Sequence, residues 1–414
     1  MIKNMAATHA VNRKLIDPIF EANAACKAAT AKFGAEKVTN ATIGTVLDNA
    51  GKLSVMPTVE KVFREMAIID FMSYAPISGR ADYIEGVKRQ IFGDTDFAGY
   101  FGAVATSGGT GAIHHAIANY AERGERVLTS DWCWGTYKVI CNETAKIFDT
   151  FKLFDDDYKH FNIENFSAKV EEILAAQNSL LVIINSPAHN PTGYSLSDSE
   201  WDKVLEVLKT CATGGKKINL LVDIAYIDFA GDKKVAWGFM EKFKNLPENL
   251  LVMVALSMSK SFTLYGQRCG ALAAISSSKE IIDEFNDTNK YSSRAVWSNI
   301  NHGAQVLFTK INGDKILSES LTADQKNLRE MVNARAEIFV KEAKNCGLQI
   351  VPYKGGFFIA VPTENPAAVC QKLQEDLIFA VPLKLGVRVA ACSTPLQKIS
   401  GVATKIKSAI DSIK

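Results

Sequence analysis

The sequence predicts an α/β fold, a mostly parallel sheet covered by helices in a large domain, with a smaller α/β domain built from both chain ends. Three observations carry that expectation. Several short runs are apolar throughout rather than alternating, helical stretches separate them, and a turn-rich passage and a charged helical stretch set the two chain ends apart. A chain of 414 residues is also too long for one simple core.

The apolar runs come in order. "FGAVAT" leads into "SGGTGAIHHAIANYAERG", a glycine turn followed by a helix with its own terminal glycine. Then follow "RVLTSD", "SLLVIIN", "INLLVDIAYI", "LLVMVALS" and "GALAAIS", which read as strands buried on both faces. "SDSEWDKVLEVLKTCATGG" separates two of them as a helix that opens on capping residues and closes on glycines. From about Gly313 a charged helical stretch leads into "LQIVPYKGGFFIAVP" and a closing α/β segment. The turn-rich "TVLDNAGKLSVMP" sets the first fifty or so residues apart. The expected division is therefore 52–320 for the large domain, with 1–51 and 321–414 forming the small one.

Composition narrows the partners. Hydrophobic residues make up 47% and charged residues 22%, with a formal net charge of +2, the profile of an ordinary globular protein. Lys and Arg are scattered among Asp and Glu, without the basic block of a nucleic-acid binder. No apolar run approaches the roughly 20 residues of a membrane span, and the first residues lack the apolar segment of a secretory signal. The eight cysteines form no C-x-x-C pair and no zinc spacing. They read as reduced thiols of a cytoplasmic protein.

The residues that carry chemistry stand where the strands end. Lys260 closes "LLVMVALSMSK", and lysine is rarely buried without a partner. At the carboxyl end of a buried strand it faces the crevice where open α/β sheets bind ligands. Desolvation there would make its amine a nucleophile for an aldehyde. Taken alone, it could equally be a lysine that has left the sheet for water. Asp223 ends a second apolar run, "INLLVDIAYI", with Tyr226 three residues on. A buried carboxylate needs a cation or several donors. A protonated pyridine nitrogen would serve, and helix capping is the plainer alternative. Asn190, in "SPAHNPTGYSLS", stands at a third strand end, where its amide could donate to a ring oxygen. "TSGGTGA" lacks both the dinucleotide fingerprint and the P-loop lysine. It remains a glycine turn at a helix start, whose N–H groups and Thr110 hydroxyl can hold a phosphate, completed by Ser257 and Arg268. Together these predict pyridoxal 5′-phosphate, held as a Schiff base on Lys260.

At these residues the sequence resembles the fold-type I, class I aminotransferases, and among them most nearly the aspartate aminotransferases. The likeness runs over nearly the whole chain. "SMSKSFTLYGQRCG" resembles the family's lysine segment, which implies Lys260 as the Schiff-base lysine and proton carrier, with Ser257 and Arg268 on the phosphate. "HNPTG" and "DIAY" imply Asn190 on the phenolic oxygen, Tyr226 beside it and Asp223 on the ring nitrogen. "GGTGA" is similar to the phosphate turn at Gly108, Gly109 and Thr110, and "WGTY" to the segment whose tryptophan, here Trp134, stacks on the ring. "GVRVAACS" implies Arg388 on the substrate α-carboxylate, and "TIGTVLDNAGKL" implies Gly44 closing over the substrate. Tyr74 in "YAPISG" fits the tyrosine that reaches the neighbouring subunit's phosphate, which implies a homodimer with shared sites. Arg294 in "RAVWSN" fits the arginine offered across the dimer to a side-chain carboxylate.

The sequence also departs from that pattern. Tyr137 and Asn185 stand where the aspartate enzymes usually carry histidines near the ring-nitrogen acid, and "SNINHG" lacks the paired prolines that usually follow the arginine. The resemblance implies transfer of an amino group between an L-amino acid, of the aspartate or glutamate type, and a 2-oxo acid such as 2-oxoglutarate. An aromatic-amino-acid aminotransferase is the alternative, with a lyase or decarboxylase on the same fold behind it. Ser257–Lys260 also satisfies the S-x-x-K of serine acyl-transfer enzymes, but the companion S-D-N and K-T-G motifs are missing. A cofactor-sensing regulator would want a DNA-binding domain, for which the sequence offers no basic helix-turn-helix.

Overall fold

In the computed structural model, residues 4–11, 13–93 and 99–413 are described. After a short strand β1 (Thr39–Asn40), seven strands form the central sheet: β2 (Tyr100–Thr106), β3 (Arg126–Ser130), β4 (Ile147–Phe151), β5 (Ser179–Asn185), β6 (Lys217–Asp223), β7 (Leu250–Ser257) and β8 (Gly270–Ser276). Their order is β2-β8-β7-β6-β5-β3-β4. All neighbouring pairs are parallel except those of β8, which runs against both β2 and β7.

The unbroken apolar runs have a direct cause. Successive side chains of a strand point to opposite faces, and here both faces are covered. Leu180, Val182 and Ile184 of β5 enter one core while Leu181 and Ile183 enter the other. Strand β7 divides likewise, Val252 and Val254 against Met253 and Ala255. The first core is closed by helices Ile163–Ala176 and Asp198–Thr213, the second by Gly108–Tyr120 and Lys279–Val296. Helix Asp198–Thr213 starts on a capping box between Ser197 and Glu200. Strand β4 is the one central strand that the apolar pattern does not mark. It lies at the sheet edge with Ile147 half exposed, so it needs apolar contact on fewer sides.

Strand register lines up the functional side chains. Thr106 lies opposite Gly270, and Gly270 opposite Ser257. Ala255 pairs with Asp223, and Asp223 with Asn185. The ends of β2, β7, β6 and β5 therefore meet along one edge of the sheet.

A second, antiparallel sheet of β9 (Phe358–Pro362), β11 (Val381–Leu383) and β12 (Gly386–Ala390) has the order β11-β12-β9. Between them β10 (Ile378–Phe379) pairs in parallel with β1. Its core joins Phe339, Ile359, Val387, Val389 and Ile406, together with Ala41 from the N-terminal part. The 32-residue helix Lys315–Cys346, ~48 Å long at 1.5 Å per residue, reaches from one core to the other and ends on Gly347 in the left-handed conformation. All eight cysteines are free, and no described helix is long and apolar enough to cross a membrane.

Candidate active site

At the end of β7 the chain turns into the short helix Met258–Ser261, capped by the Ser257 hydroxyl accepting from Ser259 N at 3.2 Å. Lys260 projects from it into a cavity of about 340 Å³. Its Nζ donates to Gly44 O at 2.7 Å and stands 4.5 Å from the ring centre of Tyr265. Among the described residues no carboxylate pairs with it. Removal from bulk water is the first cause that pushes the amine down to about 8, with Arg268 and Arg388 acting in the same direction.

Asp223 ends β6, buried, and among the described residues its carboxylate meets only neutral donors. The Tyr137 hydroxyl donates to Oδ2 at 2.6 Å and Ala225 N to Oδ1 at 3.1 Å. Burial pushes the carboxyl pKa up, and these two donors oppose it. A buried acid so placed has room for one cationic partner. Asn185 ties the neighbouring strand ends together: Nδ2 donates to Asp223 O and Oδ1 accepts from Asn190 N, both at 2.7 Å. Asn190 Nδ2 donates to the Tyr226 hydroxyl at 3.3 Å. The two departures noted in the sequence, Tyr137 and Asn185, thus form the immediate support of Asp223. Trp134, also on the cavity wall, meets Tyr137 edge-on at 5.6 Å.

The third element is the start of helix Gly108–Tyr120, whose first N–H groups have no partner within the helix. Gly108 has φ +64°, and a Cβ there would stand 2.8 Å from Arg268 Nη2; at Gly109 it would stand 3.2 Å from Ser257 Cβ. Only glycines leave this hollow open. Arg268 is fixed beside it by bonds from Nη1 to Ser259 Oγ at 3.0 Å and to Tyr265 O at 3.1 Å. Thr110 lines the same wall.

Arg388 of β12, 2% exposed, also lines the cavity. It donates to Thr42 O at 2.8 Å and to Asn190 Oδ1 at 3.3 Å, and its guanidinium lies 4.2 Å over the ring of Phe358. Its Nε has no partner among the described residues, and burial lowers its pKa to about 10. Ile19, Phe20, Ile43, Gly44 and Thr45 complete the rim.

Two of the expected residues are elsewhere. Tyr74 is 89% exposed, and Arg294 is exposed with Nη1 on Ser298 Oγ at 2.7 Å; neither lines the cavity of its own chain. Conversely, Tyr265, Thr42, Ser259 and Phe358 belong to the site without having been singled out. Tyr265 lies inside the lysine segment, and Phe358 is the second of two phenylalanines after a glycine pair, at a strand start, which are the signals that mark them.

A primary amine, a carboxylate and a phosphate hollow are needed at once by a molecule carrying an aldehyde, a pyridine nitrogen and a phosphate. Pyridoxal 5′-phosphate is that molecule, and the hollow at Gly108–Gly109, the cation-free acid and the deep lysine fit it, which places the protein among the enzymes that use it. Comparison with known proteins agrees. The family model of aminotransferase class I and II matches residues 36–406. The crystal structure of an aminotransferase from Anaerococcus prevotii is 41% identical, covering 99% of this chain and 100% of that one, with a TM-score of 0.96. An aspartate aminotransferase of Pseudomonas aeruginosa is 27% identical over 86% of this chain and 88% of its own. An aromatic-amino-acid aminotransferase of Paracoccus denitrificans is 27% identical over 68% of each chain. The chain belongs to the class I and II aminotransferases, of fold type I, and is related to aspartate aminotransferase.

Proposed function

We propose that the enzyme moves an amino group between an L-amino acid of the aspartate or glutamate type and a 2-oxo acid such as 2-oxoglutarate. The observation that carries this reading is that Lys260 and Arg388 line one cavity. When bound, the cofactor supplies an electron sink for the bonds at the substrate Cα. Lys260 would hold it, and its free amine would take the proton from Cα as general base and, as general acid, place it on the carbon that had been the cofactor's aldehyde. Asp223 would keep the proton on the ring nitrogen. Asn190 and Tyr226 would serve the phenolic oxygen, and Trp134 would stack on the ring. Gly108, Gly109, Thr110, Ser257 and Arg268 would hold the phosphate. Arg388 receives the α-carboxylate as a fork, and Gly44 closes over it.

In this reading the enzyme is a cytoplasmic homodimer in which Tyr74 reaches the partner's phosphate and Arg294 the partner's bound side chain. The exposure of both residues in the single chain supports it. The large domain would be 52–320, with 1–51 and 321–414 in the small one. A second reading has a specific observation behind it. Ile19, Phe20 and Phe358 give the cavity an apolar side, which suits an aromatic amino acid.

The test is an absorbance spectrum of the purified holoenzyme before and after L-aspartate, L-glutamate or L-phenylalanine. Conversion of the visible band to the near-ultraviolet band of the amine form by aspartate and glutamate is the expected result. Faster conversion by phenylalanine would favour the aromatic reading, and no conversion by any of them would defeat both.

A further inference from the structure

We infer that Arg335 is a positioning residue, a latch that holds residues 43–49 over Lys260 by way of Asn49 and Cys392. Arg335 lies in helix Lys315–Cys346 and is fully buried, and among the described residues it makes no ion pair. A guanidinium so placed is costly, and an apolar residue of the same volume would pack at least as well. What it does instead is hold two neutral acceptors. Nη1 donates to Cys392 O at 2.9 Å and Nη2 to Asn49 Oδ1 at 3.0 Å.

Both acceptors belong to the frame of one segment. Cys392 O also accepts from Leu47 N at 3.0 Å, and the Cys392 thiol donates to Ile43 O at 3.5 Å. Asn49 Oδ1 also accepts from Leu396 N at 3.1 Å. Between these anchors Gly44 O meets Lys260 at 2.7 Å, and Val46 N meets the Tyr265 hydroxyl at 3.0 Å. The same helix holds the other side of the site, Gln325 Nε2 donating to Ser261 O at 2.9 Å, next to Lys260. One helix thus fixes the lysine turn at Gln325 and the segment facing it at Arg335.

The inference rests on the proposed reading only in assigning Gly44 to the substrate. The experiment compares holoenzyme carrying Arg335→Gln, Asn49→Ala or Asn49→Asp with the wild type. Amide hydrogen exchange of residues 43–49 and of β7 is measured, with KM, kcat and bound cofactor for whichever donor the wild type turns over. In Arg335→Gln and Asn49→Ala, exchange in 43–49 should rise while β7 keeps its protection. KM should rise about ten-fold, kcat should change less, and cofactor content should hold. Asn49→Asp, which keeps an acceptor for Arg335, should restore protection. Asn49 is exposed, so its variants decide the matter even where Arg335→Gln does not fold. Unchanged exchange and KM in Asn49→Ala would reduce Arg335 to packing. A wild type inactive with every donor would overturn the functional reading, and the exchange result would still decide the latch.

Discussion

Lys260, Asp223 and Asn190 were each legible from their own surroundings, because a polar group at the end of an apolar run needs a reason to be there, whereas Arg388 was reached through the resemblance carried by "GVRVAACS". Their behaviour follows from the same isolation. With its amine lowered to about 8, Lys260 is half neutral near pH 8, where an ordinary lysine is almost wholly protonated. Capture of pyridoxal phosphate by apoenzyme should therefore quicken as pH rises and level off above about 8, a profile that stopped-flow absorbance checks. Lys260→Ala should abolish turnover while the protein still binds the cofactor without a covalent bond, which dialysis would reveal. Tyr137→Phe keeps the ring and removes one hydrogen bond to a carboxylate at 2.6 Å. Such a bond is worth about 1.5–3 kcal/mol, so cofactor affinity should fall about 10- to 100-fold, read by fluorescence titration. Arg335 could not be recognised in the same way. It sits in "NLREMVNARAEIF" among other charges, and nothing local separates a buried arginine from a solvated one.

Among the elements, the two-sided strands declared themselves by composition, whereas β4 did not, since half exposure at an edge leaves no unbroken apolar run. The phosphate helix was readable from its glycines, but the reason for two of them lies in distant chain. Arg268 and Ser257 approach Gly108 and Gly109 only after β7 and β8 are laid beside β2. Gly108→Ala would meet both the positive φ and the Arg268 guanidinium. The expected outcome is cofactor affinity lowered about ten-fold or more, together with a lower melting temperature from the strained φ, which costs about 1–2 kcal/mol. Equilibrium titration with calorimetric melting would separate the two effects.

For the molecule as a whole, neither Tyr74 nor Arg294 lines the cavity of its own chain, and the proposed reading gives them a use only in a second copy. If sites are shared, subunits carrying Arg294→Ala and subunits carrying Arg388→Ala, each nearly inactive toward aspartate, should complement on mixing. Random pairing makes half the dimers mixed, each with one intact site of two, so about a quarter of wild-type activity should return. Activity that does not recover after subunit exchange would place Arg294 outside the substrate site. The contact between Arg388 and Thr42 O joins residues 346 positions apart. A chain emerging from the ribosome can therefore expose Lys260 long before the strand that confines its substrate has been made. Until then the amine lacks the burial that lowers its pKa, and the competent enzyme can arise only after translation has passed Arg388.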